Sequence, residues 1–292
     1  MDLSDFWTLS EMWIGDRFED HVFLGPNGSE WRIAKKLSER AISSQPLAYE
    51  LGEDTSEAQA VFQVQQVHGP CVGEKAMLKV RMQIPEGFED NVSSDPEVRA
   101  QYASETPSAW TIQEFQTLSW LTQRGCSVTP RLLHTMNLGQ DDDTMPVPGG
   151  WLVCMLMEMV PGVPMTEFCY YNRAQRDKIR QAFLRSMTEL CSYNVMHFDN
   201  GPQNILYDEE QDKIYFVDFE DSYVNTTATK PMSTLFENED MVKGELQLWG
   251  LDDEMLGLAE PMDHEVQQDR LFHQEAANPV DVDQSGSLTA VY

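Results

Sequence analysis

Two periodicities divide the chain. Between Pro46 and Pro85, short apolar blocks stand between turn formers. Ala60-Val61-Phe62-Gln63-Val64 and Ala76-Met77-Leu78-Lys79-Val80 are separated by the stretch from His68-Gly69-Pro70 to Gly73. Both blocks predict β-strands. Farther on, the spacing becomes helical. Ile112, Phe115, Leu118 and Leu121 predict a helix over 111–123, with Gly125 as its stop. Ile179, Phe183, Leu184, Met187, Leu190 and Cys191 share one face of the clearest helix, 173–194. Leu132-Leu133-His134 reads as a short strand, and Trp151 to Val160 as an apolar strand ended by Pro161-Gly162. Ile205-Leu206-Tyr207 and the segment from Lys213 to Val217, joined by the polar turn 208–212, predict a hairpin.

The remaining segments are less regular. Residues 1–45 read as an irregular or helical N-terminal extension with a basic patch of Arg32, Lys35, Lys36 and Arg40. Residues 86–108 form a polar insertion, 236–249 are weakly helical, and 278–292 form a flexible tail poor in large apolar groups. The division that follows is an N-terminal lobe over 46–158 and a C-terminal lobe over 159–277. No internal repeat is present.

Composition narrows the function classes. Of 292 residues, 41% are hydrophobic and 24% charged, as in a folded globular protein. Acidic residues outnumber basic ones 49 to 20, for a formal net charge of −29. Such a surface repels nucleic-acid backbones and anionic membranes, so neither is an expected partner. A cleft with a metal ion and a lysine still accommodates a nucleotide. No secretory signal opens the chain, and no run of 18 apolar residues suggests a membrane span. The five cysteines are scattered, without a CxxC pair, which points to free thiols and a cytoplasmic location.

The stretch that carries chemistry is His197-Phe198-Asp199-Asn200-Gly201-Pro202-Gln203-Asn204, followed by Asp218-Phe219-Glu220. Phosphoryl transfer requires alignment of the attacking oxygen and neutralisation of the transferred group. A loop carboxylate, Asp199, can take the acceptor's proton. An amide oxygen five residues later, Asn204, and a carboxylate after the next hairpin, Asp218, can share Mg²⁺. His197 is assigned a bracing role. The HxDxxxxN spacing and the hairpin ending in Asp-Phe-Glu resemble the kinase-like superfamily. The Glu in place of Gly is most similar to its aminoglycoside phosphotransferase and choline kinase members. The resemblance implies an α+β, two-lobed protein-kinase-like fold, with a β-rich N-terminal lobe and a mainly helical C-terminal lobe.

It also implies roles upstream. Lys79, a charge inside an apolar strand, looks like the strand lysine that holds nucleotide phosphates. A solvent-facing edge lysine is the plain alternative. Its partner is expected on the following helix as Glu114, four residues before Leu118; Glu97 and Glu105 lie in the polar insertion. Glu158, Met159 and Val160 resemble the hinge whose main chain binds adenine. The place of the glycine-rich loop is taken by Leu51-Gly52-Glu53-Asp54-Thr55-Ser56-Glu57, with three acids that oppose phosphate. Gly201 replaces the lysine that protein kinases carry two residues after the catalytic aspartate, and no Ala-Pro-Glu segment follows Asp218. The expected activity is an ATP- and Mg²⁺-dependent phosphotransferase acting on a small-molecule hydroxyl. A pseudokinase scaffold and a kinase-fold enzyme with another transfer reaction are the alternatives.

Overall fold

A computed structural model describes residues 13–15, 18–44, 55–86, 92–228, 231–233 and 238–258. Six antiparallel strands form the first sheet: β1 (Val22–Leu24), β2 (Glu30–Ile42), β3 (Glu57–His68), β4 (Lys75–Gln83), β5 (Leu132–Gly139) and β6 (Trp151–Glu158), in the order β1-β2-β3-β4-β6-β5. Alternation assigns the two faces. Ala58, Ala60, Phe62 and Val64 of β3 join Ala76, Leu78, Val80 and Met82 of β4 in one core. Met77 of β4 and Val153, Met155 and Met157 of β6 point the other way, into a second core. Strand β4 is buried on both sides, so it reads as nearly continuous apolar sequence. Lys79 and Arg81 lie on its second face, two residues apart.

The segment expected as an irregular or helical extension contains the longest strand of the sheet. β2 pairs with β3 from Glu30↔His68 to Ile42↔Glu57, with register shifts at three places. Those irregularities bend and twist a long strand and interrupt the alternation that would have advertised it. Trp31 and Ile33 are buried in the first core, while Arg32 and Lys35 face solvent. The polar insertion is also tied down. It contains the short helix α1 (Pro96–Ala100), and buried Arg99 donates to the carbonyls of Ser93, Ser94, Asp143 and Pro146. Those bonds pin it to the loop before β6.

Helix α2 (Ala109–Arg124) is capped by Ser108, whose hydroxyl accepts from the Thr111 amide, and stops at Gly125, whose φ of 73° is left-handed. Leu118 and Leu121 pack it under the sheet. Helix α3 (Arg173–Ser192) starts at an Asn172–Gln175 capping box. It buries Ile179, Phe183, Met187 and Leu190 against Ile205, Ile214, Phe216 and Trp249. The predicted hairpin is β9 (Ile205–Asp208) and β10 (Lys213–Phe216). A two-residue strand, β7 (Val163–Pro164), lies on β9. Gly162 before it has a φ of +116°, and a Cβ there would meet the Tyr207 main chain at 2.8 Å. Strands β8 (Val195–His197) and β11 (Ser222–Val224) form a separate ladder, and α4 (Glu239–Leu248) follows.

This is the expected two-lobed α+β, kinase-like arrangement, with the sheet on one side of a cleft and helices and short ladders on the other. The Gly52–Asp54 part of the acidic loop and the 278–292 tail lie outside the described residues. No helix among the described residues is long and apolar enough to cross a membrane. All five cysteines are free, and burial pushes the Cys154 and Cys191 thiols up to about 12.

Candidate active site

Two short ladders assemble the candidate residues. β9 and β10 pair as Ile205↔Phe216, which places Asn204 beside Val217; the Val217 amide donates to the Asn204 carbonyl at 3.0 Å. β8 and β11 pair as His197↔Ser222, and the Phe198 amide donates to the Asp221 carbonyl at 2.8 Å. The loop 198–204 and the segment 218–220 are thereby held side by side, although a hairpin separates them in sequence. Asp218 has a left-handed φ of 62°, a conformation that Asp tolerates better than most residues.

His197 braces the junction, as its sequence reading has it. Its Nε2 lies 2.9 Å from the Val217 carbonyl, which can only accept, so Nε2 carries the proton. Burial, against the pull of that carbonyl, lowers its basicity and keeps the ring neutral at pH 7. The ring stands 4.9 Å from Phe219 and 5.2 Å from Trp249, centroid to centroid. No acceptor or donor among the described residues meets its buried Nδ1. Such a residue orients a backbone and does not shuttle protons.

Lys79 meets the partner expected of it. Its Nζ donates to Glu114 Oε1 at 2.8 Å and to Asp218 Oδ1 at 2.7 Å. The alternative of a solvent-facing edge lysine is excluded, since the side chain is 4% exposed on a central strand. Glu97 and Glu105 lie elsewhere, in the insertion. Asn204 donates its amide to Asp199 Oδ2 at 2.7 Å and to the Asp199 carbonyl at 3.0 Å. The Asn204 side-chain oxygen is then the atom it has for a cation, and Asp199 retains its second oxygen. With Asp218, these are hard oxygen donors of the kind Mg²⁺ takes.

All of these groups line one cleft of about 400 Å³. Val61, Met77, Leu118, Met157 and Val217 supply apolar walls, and Lys79, Asp199, Asn204 and Asp218 supply polar ones. Met157 and Glu158 line the cleft, whereas Met159 and Val160 do not. Val160 turns into a small cluster with Leu206, Tyr215 and Val217. The Glu158 amide is already donated to the Arg131 carbonyl at 2.9 Å.

The sequence reading missed the charge network behind Lys79. Arg81 is fully buried and donates to Glu57, to Glu114 Oε2 at 2.6 Å and to Glu220 Oε2 at 3.0 Å. Glu57 also accepts from the hydroxyls of Ser108 and Thr111. Read from sequence as an acid opposing phosphate, Glu57 is instead the first residue of β3 and points into the protein. From the cleft side, Arg40 bonds Glu220 and lies 3.3 Å from Asp218 Oδ2. The missed signal was the i, i+2 pair Lys79 and Arg81: two cations on one face of a buried strand require carboxylate partners.

The network sets its own ionisation. Burial opposes the charge on Lys79 and on Arg81, but the surrounding carboxylates outweigh it and raise both. Burial raises the Asp218 carboxyl, yet Lys79 and Arg40 overcome that and hold it at about 2, below its ordinary 3.8. Burial pushes Glu220 upward, with Lys79 opposing and the Asp218 charge reinforcing the rise. Glu114, Asp218 and Glu220 offer three oxygens within 4.8 Å of one another, but Lys79, Arg81 and Arg40 already neutralise them. Because the folded-state value of Asp218 is depressed, its ionised form stabilises the fold above about pH 4, and the contribution is lost as pH falls toward 2. Thermal melts across that window should show a steeper loss for the unmutated protein than for Asp218→Asn. Equal slopes would mean that Asp218 gains nothing from its cations.

Residues 132–248 match the family model described as the kinase domain of protein kinase OspG. No curated protein matches the chain. Among solved structures, PK-1, a kinase of the Cydia pomonella granulovirus, is similar at 12% identity with a TM-score of 0.39, covering 88% of this chain and 83% of its own. The matched family segment contains the 197–204 loop and the 218–220 segment, and Lys79 and Glu114 join them from outside it. The observed architecture and the matched segment give the chain a protein-kinase-like fold, and Lys79, Glu114, Asp199, Asn204 and Asp218 meet at its cleft.

Proposed function

We propose that the chain is an ATP- and Mg²⁺-dependent phosphotransferase that acts on a hydroxyl. The observation that carries this reading is the convergence on one cleft of Lys79, held by Glu114 and 2.7 Å from Asp218, with the Asn204–Asp199 pair. Asp218 and Asn204 would hold Mg²⁺, whose chemistry there is to neutralise the nucleotide phosphates. Lys79 would bind those phosphates, with Glu114 fixing its ammonium. The apolar walls would take the adenine, next to the main chain at Glu158. Asp199, kept in place by two bonds from Asn204, would orient the acceptor hydroxyl and take its proton.

Of the three acids that favour a pseudokinase, Glu57 is a buried partner of Arg81, and Glu53 and Asp54 lie outside the described residues. A different transfer reaction on this fold is not favoured by any residue of the cleft.

For the acceptor, a small molecule is supported by Gly201 in place of the protein-kinase lysine and by the missing Ala-Pro-Glu segment. A protein acceptor is favoured by the description of the matching family as a protein kinase. Labelling from γ-labelled ATP in a fractionated cell extract separates the two, since label enters either protein or the low-mass fraction.

Lys79→Ala tests the reading. It should raise the Kd for Mg-ATP about tenfold or more, the loss of one charge-assisted contact. Unchanged affinity would remove Lys79 from the nucleotide site.

A further inference from the structure

We propose that Arg40 is a ligand for the nucleotide phosphates, and that its pairing with Asp218 and Glu220 is the resting position it leaves when Mg-nucleotide binds. This rests on the Mg-ATP reading above.

Arg40 lies near the end of β2 and lines the cleft itself. Two cations, Arg40 and Lys79, line that space, against five carboxylates: Glu39, Glu114, Glu158, Asp199 and Asp218. Glu39, Glu114 and Glu158 are paired with Lys36, Arg81 and Arg131 behind the wall, so within the cleft only Arg40 and Lys79 can face a phosphate. A polyphosphate entering it needs every cation available. Lys79 is 4% exposed and tied to two carboxylates, and Arg81 is fully buried behind it. The Arg40 side chain is 46% exposed, so it can turn without unpacking a core.

Its present contacts leave it equipped for this. Both ion pairs run through Nη2. The other N–H groups of the guanidinium fork remain for a planar, two-pronged contact with phosphate oxygens. Glu220, the residue that departs from Asp-Phe-Gly, supplies one of the two resting carboxylates. The other is Asp218, whose carboxylate would hold Mg²⁺. With Mg²⁺ held at Asp218, the Arg40 guanidinium would be repelled there and would find a new partner in the phosphate. Arg40 thus keeps Asp218 and Glu220 neutralised until the nucleotide brings its own cation.

The test is calorimetric titration of the unmutated protein, Arg40→Ala and Arg40→Lys with Mg-ATP and with adenosine, plus titration with Mn²⁺ alone followed by electron paramagnetic resonance. Arg40→Ala should weaken Mg-ATP about tenfold while adenosine binds as before, and Arg40→Lys should recover part of the loss. Mn²⁺ alone should bind Arg40→Ala at least about threefold more tightly, because the competing guanidinium is gone. Undiminished Mg-ATP affinity in Arg40→Ala overturns the ligand role. An equal loss for adenosine also overturns it, by showing a collapsed cleft. Unchanged Mn²⁺ affinity overturns the resting position. If the unmutated protein binds no Mg-ATP, the nucleotide reading fails and this inference fails with it.

Discussion

Replacing Asp199 with Asn should lower turnover by roughly two to four orders of magnitude while Mg-ATP affinity stays near that of the unmutated protein. Asn204 anchors Asp199 through its side chain and its carbonyl, so an amide in its place is isosteric and stays in position. What it loses is the capacity to take a proton. That task belongs to the transition state, so binding of the nucleotide should hardly change. Asp218→Asn should behave in the opposite way: the cation loses a full charge facing it, and metal-dependent affinity falls first. Asp221→Asn is the control, since Asp221 lies outside the cleft lining and contributes its carbonyl to the Phe198 amide. Steady-state turnover and nucleotide titration of the three variants check the assignment. Full turnover in Asp199→Asn would remove Asp199 as the base. Loss of nucleotide binding equal to that of Asp218→Asn would make it a metal ligand.

Arg81→Ala should destabilise the protein by about 3–5 kcal/mol, the range for breaking a buried ion pair by removing one partner. Arg81 serves Glu57, Glu114 and Glu220 at once, and no water reaches it to take its place. The remaining carboxylates would share Lys79 and the half-exposed Arg40. A loss of that size lowers the melting temperature on the order of 10 °C for a protein of this length. Arg32→Ala, on the solvent face of β2, should change stability by less than about 0.5 kcal/mol. Chemical denaturation of both variants checks the contrast. If Arg81→Ala melts like Arg32→Ala, the network is not the scaffold of the site.

The parts of the fold legible in the sequence were those where one period persists. The α3 face and the β9–β10 hairpin fell where their apolar spacing put them, whereas α2 kept its span but buries Glu114, Leu118 and Leu121 and leaves Phe115 exposed. The Lys79–Glu114 pair was legible too, because Glu114 lies on the buried side of a helix with Leu118 and Leu121. Strand β2 was not legible. Its register shifts break the alternation, and its lysines and arginines read as a solvated patch, although Trp31 and Ile33 are core residues. Glu57 was misread for a related reason. Its role depends on pairing Glu57↔Gln83 and on Arg81 reaching across the sheet face, contacts that local spacing does not encode. Met159 and Val160 were assigned by position within a resemblance; the Val160 side chain packs into the small cluster below it, and Met159 is exposed. Arg40 reaches Asp218 across 178 residues, a contact that only the folded cleft creates.

The proposed phosphotransferase must bind its nucleotide in this cleft through a metal. Titration of the unmutated protein with ATP, with Mg²⁺ and then with excess chelator, tests it most directly. Saturable binding is expected at or below millimolar concentration with Mg²⁺ and at least about tenfold weaker binding without it, since Asp199 and Asp218 face the phosphates. No binding at millimolar ATP with Mg²⁺ present, or equal affinity after chelation, would contradict it.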